Sequence, residues 1–370
     1  MSSEHSPYRV AIIGTGGIAT AHAVALADLP QQAELVAVVD IDADRAEQFA
    51  QRFSVPAVYT DAGAMLAAEE LDLVNICTPP QTHGPLAIEV IRHGVAALVE
   101  KPTALSLREM DELAEAQARY EAPILTVFQH RFGAAGIRLR DFVQAEKLGR
   151  PLVATCETLW YRNDAYFEVP WRGRWDIEGG GPTMGHGIHQ FDLMLSVLGP
   201  WVDISAFAAR QSRPTDTEDV SVALARFENG ALATVVNSVV SPRETSRLRF
   251  DFEYATVEVE HLYGYQDADW TFTAAPGHEH LAAEWGEATS DEVSSHRMQL
   301  SAIFQAFTNH TEPEVSLKEA RRTLEFAAAT YASAFRRETV SAGQIAGTDP
   351  FAQSMSGDLV PWAPMKAPAV

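Results

Sequence analysis

The chain has 370 residues, 46% hydrophobic and 21% charged, an ordinary globular balance with enough length for about two domains with sizeable cores. Its 50 acidic residues against 28 lysines and arginines give a net charge of −22 at pH 7, a surface that repels nucleic-acid backbones and anionic membranes. Cys77 and Cys156 each sit inside an apolar run and are expected to be buried and reduced. No Cys/His spacing marks a zinc site, and neither a signal-peptide core nor an apolar run of membrane-spanning length occurs, so a cytoplasmic protein without a metal is expected.

The first 125 residues alternate short apolar runs with helical periods. Strands are predicted at Tyr8 to Ile13, Glu34 to Asp40, Leu73 to Cys77, Ala96 to Val99 and Ile124 to Phe128. Between them, helices are predicted at Gly17 to Leu29, Ala43 to Phe53, His83 to His93 and Leu107 to Tyr120. This alternation predicts a doubly wound parallel sheet over residues 1–125. Beyond it the period shortens. Leu152 to Tyr161 alternates as a half-buried strand does, Asn229-Gly230 between two β runs marks a hairpin, and Leu248 to His261 has period-two stretches. Helices are predicted at Met184 to Leu198, Glu292 to Asn309 and Leu317 to Phe335. Residues 126–345 are therefore expected to form an α+β domain with a large, mostly antiparallel open sheet, and the Pro-rich stretch 346–370 a loose tail.

Directly after the first strand stands Gly14-Thr15-Gly16-Gly17-Ile18-Ala19, a G-x-G-x-x-[GA] turn. Gly14 permits the tight turn, Gly16 lets backbone approach a pyrophosphate, Ala19 lets the helix pack closely on the strand, and the helix N-terminus favours the phosphate charge. Asp40 at the end of the second strand is placed to accept from ribose hydroxyls and to repel a 2′-phosphate, which favours NAD over NADP; Arg45 is the residue that would reverse that preference. The candidate cofactor contacts from this region are Gly14, Gly16, Gly17, Ile18 and Asp40. Thr78, Pro79 and His83 in the turn after one later strand, and Glu100 and Lys101 after the next, join them, because open α/β sheets bind ligands at the carboxyl ends of their strands.

Taken together, GTGGIA, TPPQTH, EKP at 100–102, QHRF at 129–132, WRG at 171–173 and GGGPTMGHGIHQFD at 179–192 resemble the glucose–fructose oxidoreductase/inositol dehydrogenase (Gfo/Idh/MocA) family, over most of the chain to about residue 340. The resemblance implies reversible hydride transfer between a nicotinamide and a hydroxyl carbon of a sugar, cyclitol or related polyol. It implies Lys101 and His189 as catalytic residues, Gln129 as a further cofactor contact, and a homodimer or homotetramer formed through the C-terminal sheet. Many members carry an aspartate four residues before the histidine, where this chain has Gly185; His186 next to it is expected to share a helix face with His189. Asp192 reads equally as a partner orienting His189 or as a structural ion-pair acid.

Imidazole titrates near neutrality and suits proton transfer, while an ammonium stabilises a developing alkoxide. Tyr161, Arg162, Trp171, Arg172, Trp175 and His186 are expected around the substrate, in a pocket between the domains. Two alternatives share the sequence: a non-catalytic NAD(P)-binding sensor, and a reductase of a non-sugar substrate on the same fold. The sensor reading predicts loss of the lysine or the histidine, and both are present.

Overall fold

The computed structural model describes residues 6–287 and 290–366. Contacts divide the chain into two compact units: residues 1–104, 109–127 and 295–321 form one, and residues 105–108, 128–294 and 322–370 the other.

The first unit is built on six parallel strands, β1 (Tyr8–Ile13), β2 (Ala33–Val39), β3 (Ala57–Tyr59), β4 (Leu73–Ile76), β5 (Ala96–Val99) and β6 (Ile124–Thr126). Their spatial order is β3-β2-β1-β4-β5-β6, so the winding direction switches between β1 and β4. The helices α1 (Gly17–Ala27), α2 (Ala43–Phe53), α3 (Ala62–Ala68), α4 (His83–Arg92) and α5 (Leu107–Tyr120) provide the crossovers. β4 and β5 are buried at every residue, which is why they read as unbroken apolar runs. In α2 the apolar residues Ala46, Phe49 and Ala50 recur on one face, Asp42 caps the start by accepting from the Arg45 N–H, and Ser54 closes the end in the left-handed region.

One element returns to this unit from far along the chain. The helix His296–Thr308 places Leu300, Ile303 and Phe304 in the same apolar cluster as Val10, Ile12 and Leu26, and Phe304 stacks on Tyr8 at 5.4 Å. Residues 295–321, expected in the C-terminal domain, therefore belong with the nucleotide-type sheet. Their amphipathic pattern shows an apolar face but not which sheet it covers.

The second unit holds eight strands: β7 (Pro151–Tyr161), β8 (Trp201–Ala209), β9 (Val220–Phe227), β10 (Leu232–Ser238), β11 (Val240–Phe252), β12 (Ala255–His261), β13 (Trp270–Ala274) and β14 (Val340–Ser341). Their order is β13-β12-β11-β7-β10-β9-β8-β14; β10 runs parallel to β7 and the other pairs are antiparallel. The Asn229-Gly230 hairpin joins β9 to β10, with Gly230 at φ +90° and the Phe227 N–H donating to Ala231 at 3.0 Å. Leu248 to His261 divides into β11 and β12 at Glu253-Tyr254.

Two expectations need correcting here. The predicted helix from Met184 opens as a π-helix over Thr183–Gly187 and becomes an α-helix only at Ile188–Leu198. The stretch after residue 345 is packed rather than loose: Pro350–Gln353 is helical, Phe351 is fully buried under the Arg336 guanidinium, and Trp362 lies edge-on to Phe335 and donates to the Asp216 carbonyl. Its apolar anchors sit singly among Pro and Gly, a pattern without a period. Residues 367–370 of that stretch, and residues 1–5, lie outside the described residues.

Candidate active site

The G-x-G-x-x-A turn follows β1 directly. Gly14 sits at φ +90°, and a Cβ there would lie 2.9 Å from the Cys77 backbone, so both conformation and space require glycine. At Gly16 and Gly17 a Cβ would meet nothing within 4 Å, and no side chain caps the start of α1. Open space in front of uncapped helix N–H groups is what a pyrophosphate needs, so these residues fit a dinucleotide. When bound, the nicotinamide supplies the hydride chemistry.

Asp40 is buried behind this turn. Its carboxylate accepts from the Thr15 N–H and hydroxyl, both at 2.8 Å, from the Asp42 N–H at 3.0 Å, and from Arg45 Nε at 3.0 Å and Nη2 at 2.5 Å. Burial pushes the carboxyl up, but Arg45 and the N–H donors outweigh it and hold it well below the usual carboxylate range. The Arg45 side chain is 50% exposed. Five protein contacts already fill the roughly four acceptor sites of this carboxylate, so a further donor would have to displace one of them, and Arg45 is the one that reaches in from solvent.

Thr78, Pro79, His83, Glu100 and Lys101 follow β4 and β5 in the same unit. His83 is buried with Nδ1 2.7 Å from the Pro102 carbonyl and Nε2 2.8 Å from the Thr78 carbonyl. Both ring nitrogens therefore hold backbone, tying one strand-end turn to the next, and none remains for a direct cofactor contact. Glu100 is also turned inward. Its Oε1 accepts from His22 Nε2 at 2.9 Å and His296 Nε2 at 3.1 Å, and its Oε2 from the Lys101 N–H at 3.1 Å. Burial raises the Glu100 carboxyl, but the two imidazoles outweigh it and hold it well below its ordinary value; burial likewise pushes the His22 imidazole down. Among the described residues, this His–Glu–His group is the one set of side chains close enough to one another to hold a metal ion. As it stands it is a hydrogen-bonded network that fixes the backbone of Lys101. His22 and His296 carried no sequence signal for this, being separated from Glu100 by 78 and 196 positions.

In the second unit, the glycines before the histidine helix are sterically required. Gly179 is left-handed at φ +76°, a side chain on Gly180 would run into the Tyr331 hydroxyl, and one on Gly181 into the Glu218 backbone. Glu218 is fully buried and accepts from the Gly181 N–H at 2.9 Å, the Thr183 N–H at 3.1 Å and the Tyr331 hydroxyl at 2.9 Å. Burial pushes its carboxyl up, against those hydrogen bonds, and pushes the Tyr331 hydroxyl well up. The device sets the start of the π turn. A Cβ at Gly185 would meet nothing within 4 Å, so the position of the family's aspartate is open space.

His189 is 2% exposed, with ring neighbours His130 at 4.9 Å, Tyr263 at 6.0 Å and Phe128 at 6.3 Å. Gln190 Nε2 lies 3.1 Å from His261 Nε2 and 3.4 Å from His130 Nδ1, and Gln129 donates to the Tyr263 hydroxyl at 2.9 Å. His130 comes from one segment and His261 and Tyr263 from another, more than 130 positions on, which no local pattern links. His186 packs instead on Trp160 at 4.9 Å and stands 3.5 Å from the Tyr166 hydroxyl. The shared face expected from an i,i+3 spacing belongs to an α-helix; the wider π turn changes the angle between the two residues. Asp192 is committed to Arg131, with two contacts of 2.7 Å, and to the Thr323 hydroxyl at 2.7 Å, so the ion-pair reading holds.

The remaining candidates separate. Trp175 packs edge-on against Tyr331 at 5.1 Å and Phe335 at 5.9 Å and donates to the Asp216 carbonyl, so it is an anchor of the unit's core and not an open substrate contact. Tyr161 is 42% exposed at the end of β7, under the Arg213 guanidinium. Arg172 stacks on Tyr166 at 3.7 Å and Trp171 at 4.7 Å. Cys77 and Cys156 are free and buried, one in each unit.

Residues 8–128 match the oxidoreductase family with an NAD-binding Rossmann fold, GFO_IDH_MocA, and residues 137–258 match the GFO/IDH/MocA C-terminal domain. A D-apiose dehydrogenase from Paraburkholderia graminis is 28% identical over 380 residues, 95% of this chain and 94% of that protein. A myo-inositol 2-dehydrogenase from Thermotoga maritima is 27% identical over 62% of this chain and 68% of its own length. The crystal structure of the WlbA dehydrogenase from Bordetella pertussis, in complex with NADH and UDP-GlcNAcA, shares the fold with a TM-score of 0.80 at 23% identity, over 90% of this chain and 98% of that one. With both halves of the chain matched, and the glycine turn open in front of an uncapped helix, the protein is a member of the Gfo/Idh/MocA family of NAD-binding oxidoreductases.

Proposed function

We propose that the chain oxidises, reversibly, a hydroxyl carbon of a sugar, cyclitol or related polyol, with NAD as its cofactor. The relatives named for apiose and inositol support the substrate class. The observation that carries the reading is the Lys101 backbone, held by a buried carboxylate that two imidazoles fix in turn, at the end of β5, which is separated only by β4 from β1 and its glycine turn. Such a support serves a side chain whose position matters. In this reading His189 accepts the proton of the substrate hydroxyl, and the Lys101 ammonium donates a hydrogen bond to the same oxygen as negative charge develops on it. Ionised Asp40 disfavours a 2′-phosphate.

The test is turnover on a panel of sugars and cyclitols, read at the NADH absorbance beside a titration of NADH fluorescence. Lys101→Ala and His189→Ala are each expected to lower kcat by about 10²–10⁴-fold while NADH binding survives. Near-wild-type turnover in either variant removes that residue from the mechanism. NADH binding with no turnover on any polyol favours a sensor.

The same reading makes the protein a homo-oligomer. Phe207, Leu224 and Leu232 are 81%, 60% and 55% exposed. Register puts Phe207 beside Val222 and Leu232 beside Val153, so the apolar side chains share one face of the sheet across β8, β9, β10 and β7. Light scattering should report a dimer or tetramer, and Phe207→Glu with Leu224→Glu a smaller species. Two free buried thiols suit a reducing compartment, so a cytoplasmic location is proposed with it. Cell fractionation checks that location. Among the described residues no helix is long and apolar enough to cross a membrane.

A further inference from the structure

Among the described residues, the half-buried Arg172 guanidinium has no hydrogen-bond acceptor. It lies over the Tyr166 ring at 3.7 Å and the Trp171 ring at 4.7 Å, its Nε is buried without a hydrogen bond, and no ion pair engages it among the described residues. A second guanidinium, Arg162, stands over the same Tyr166 ring at 5.4 Å and over Trp160 at 4.7 Å; it is paired with Glu244 at 2.9 Å. His186 completes the wall, against Trp160 and 3.5 Å from the Tyr166 hydroxyl. The carboxylate whose charge acts on Arg172 is Glu178, which also accepts from the Gly173 N–H. Burial and the like charge of Arg162 both work against the Arg172 cation, and Glu178 only partly offsets them. In a chain of net charge −22, acidic partners are abundant, so a partly desolvated arginine left without one calls for a cause.

We propose that Arg172, with Arg162 and the Tyr166–Trp160 wall, is an anion subsite that takes the negatively charged substituent of a sugar-derived substrate, a carboxylate or a phosphate. A guanidinium fork matches either group, and the fixed aromatic stack holds the fork in place before the ligand arrives. The aromatic rings offer faces to the C–H patches of the adjoining sugar ring. The proposal rests on the sugar reading above and narrows it to acidic sugars.

Binding tests it without any need for turnover. The full chain, saturated with NADH, is titrated calorimetrically with D-glucose, D-glucuronate and D-glucose 6-phosphate, as wild type, Arg172→Met and Arg172→Lys. At least one anionic probe should bind the wild type about tenfold or more tightly than glucose. Arg172→Met should abolish that advantage, and Arg172→Lys should retain part of it. Whichever anion holds the advantage names its source. Equal binding of all three probes to the wild type, or an advantage that survives in Arg172→Met, overturns the subsite and assigns Arg172 to packing on Tyr166. An unchanged NADH affinity shows that the variants are folded; should Arg172→Met not fold, the wild-type comparison and Arg172→Lys still decide. If the sugar reading itself fails, no polyol is turned over, yet the binding preference is still read.

Discussion

Glu100 in the first unit and Glu218 in the second are both fully buried, yet their carboxyl groups move in opposite directions. Burial raises both. Glu100 faces two imidazoles and the Lys101 N–H, and these overcome the burial. Glu218 faces two backbone N–H groups and a phenol, which do not. The contrast teaches that depth alone does not set the charge of an interior acid; the donors around it do. It also separates two kinds of support: a clamp under Lys101 whose carboxyl is held down by imidazoles, and a clamp under the glycine turn that precedes His189 whose carboxyl is pushed up by burial.

The largest expected effect breaks the first clamp. Glu100→Ala leaves the His22 Nε2–H, the His296 Nε2–H and the Lys101 N–H without their acceptor in the interior. At about 1–3 kcal/mol for each buried donor left unsatisfied, less what relaxation recovers, the loss is about 3–5 kcal/mol. It is read as a lower urea midpoint at unchanged slope. A midpoint within experimental error of wild type would mean that water or a neighbour replaces the carboxylate and that the clamp does not hold the turn.

Next in size is an acid sensitivity of the second unit. Burial drives the His261 imidazole down from 6.5 to about 4. A histidine kept neutral in the folded state stabilises fully above the unfolded value of about 6.5, and that contribution is lost as pH falls towards 4. The span corresponds to a change on the order of 3 kcal/mol. His261→Gln keeps a polar group for Gln190, and its stability should be flatter than wild type between pH 6.5 and 4. Parallel curves would show that His261 is solvated.

The two glutamates can then be set against each other by amide substitution. A depressed carboxyl stabilises above the unfolded value near 4.5 and loses that contribution as pH falls through its folded value. A raised carboxyl does the reverse: its contribution is full below the unfolded value and is lost as pH rises through the folded one. Relative to wild type, Glu100→Gln should therefore look worse as pH rises from 4 to 7, and Glu218→Gln should look better. Urea midpoints at the two pH values check this, and slopes of the same sign would dissolve the contrast.

How far the sequence carried depends on whether a feature is local. α2, α5, β1 and β5 were legible to the residue because each is one apolar period with its own caps or turns. The glycine turn and the Asn-Gly hairpin were legible because backbone geometry restricts the residues that fit them. The return of His296–Thr308 to the first sheet was not, since an apolar face does not name its partner. The π turn was not, because its residues carry the same apolar spacing as a helix. The support of Glu100 by His22 and His296, the pairing of Asp192 with Arg131, the anchoring of Trp175 and the packing of Phe351 and Trp362 were hidden for one reason: each is a contact across long sequence separation. Lys101 stood out locally as a residue at a strand's carboxyl end, but a catalytic role for it, and for His189, was read only through the family resemblance.

The smallest effect concerns a third acid, Asp40, which sharpens the comparison because its cation is half exposed and can leave. Asp40 resembles Glu100 in being held ionised by donors despite its burial, but one of those donors, Arg45, reaches in from solvent. The ion pair should therefore add little to stability, within about 1 kcal/mol. Its consequence lies in cofactor choice. With Arg45 in place the carboxylate is neutralised; with Arg45→Ala its charge stands bare, still fixed by the Thr15 and Asp42 N–H groups. A bare carboxylate accepts ribose hydroxyls without first displacing a guanidinium and repels a 2′-phosphate more strongly. Fluorescence titration should thus show NADH binding Arg45→Ala as tightly as wild type or up to a few-fold tighter, with NADPH weakened by about three- to tenfold. Stronger NADPH binding in the variant would mean that Asp40 is not the residue that meets the ribose, and that Arg45 had been closing the pocket to both cofactors.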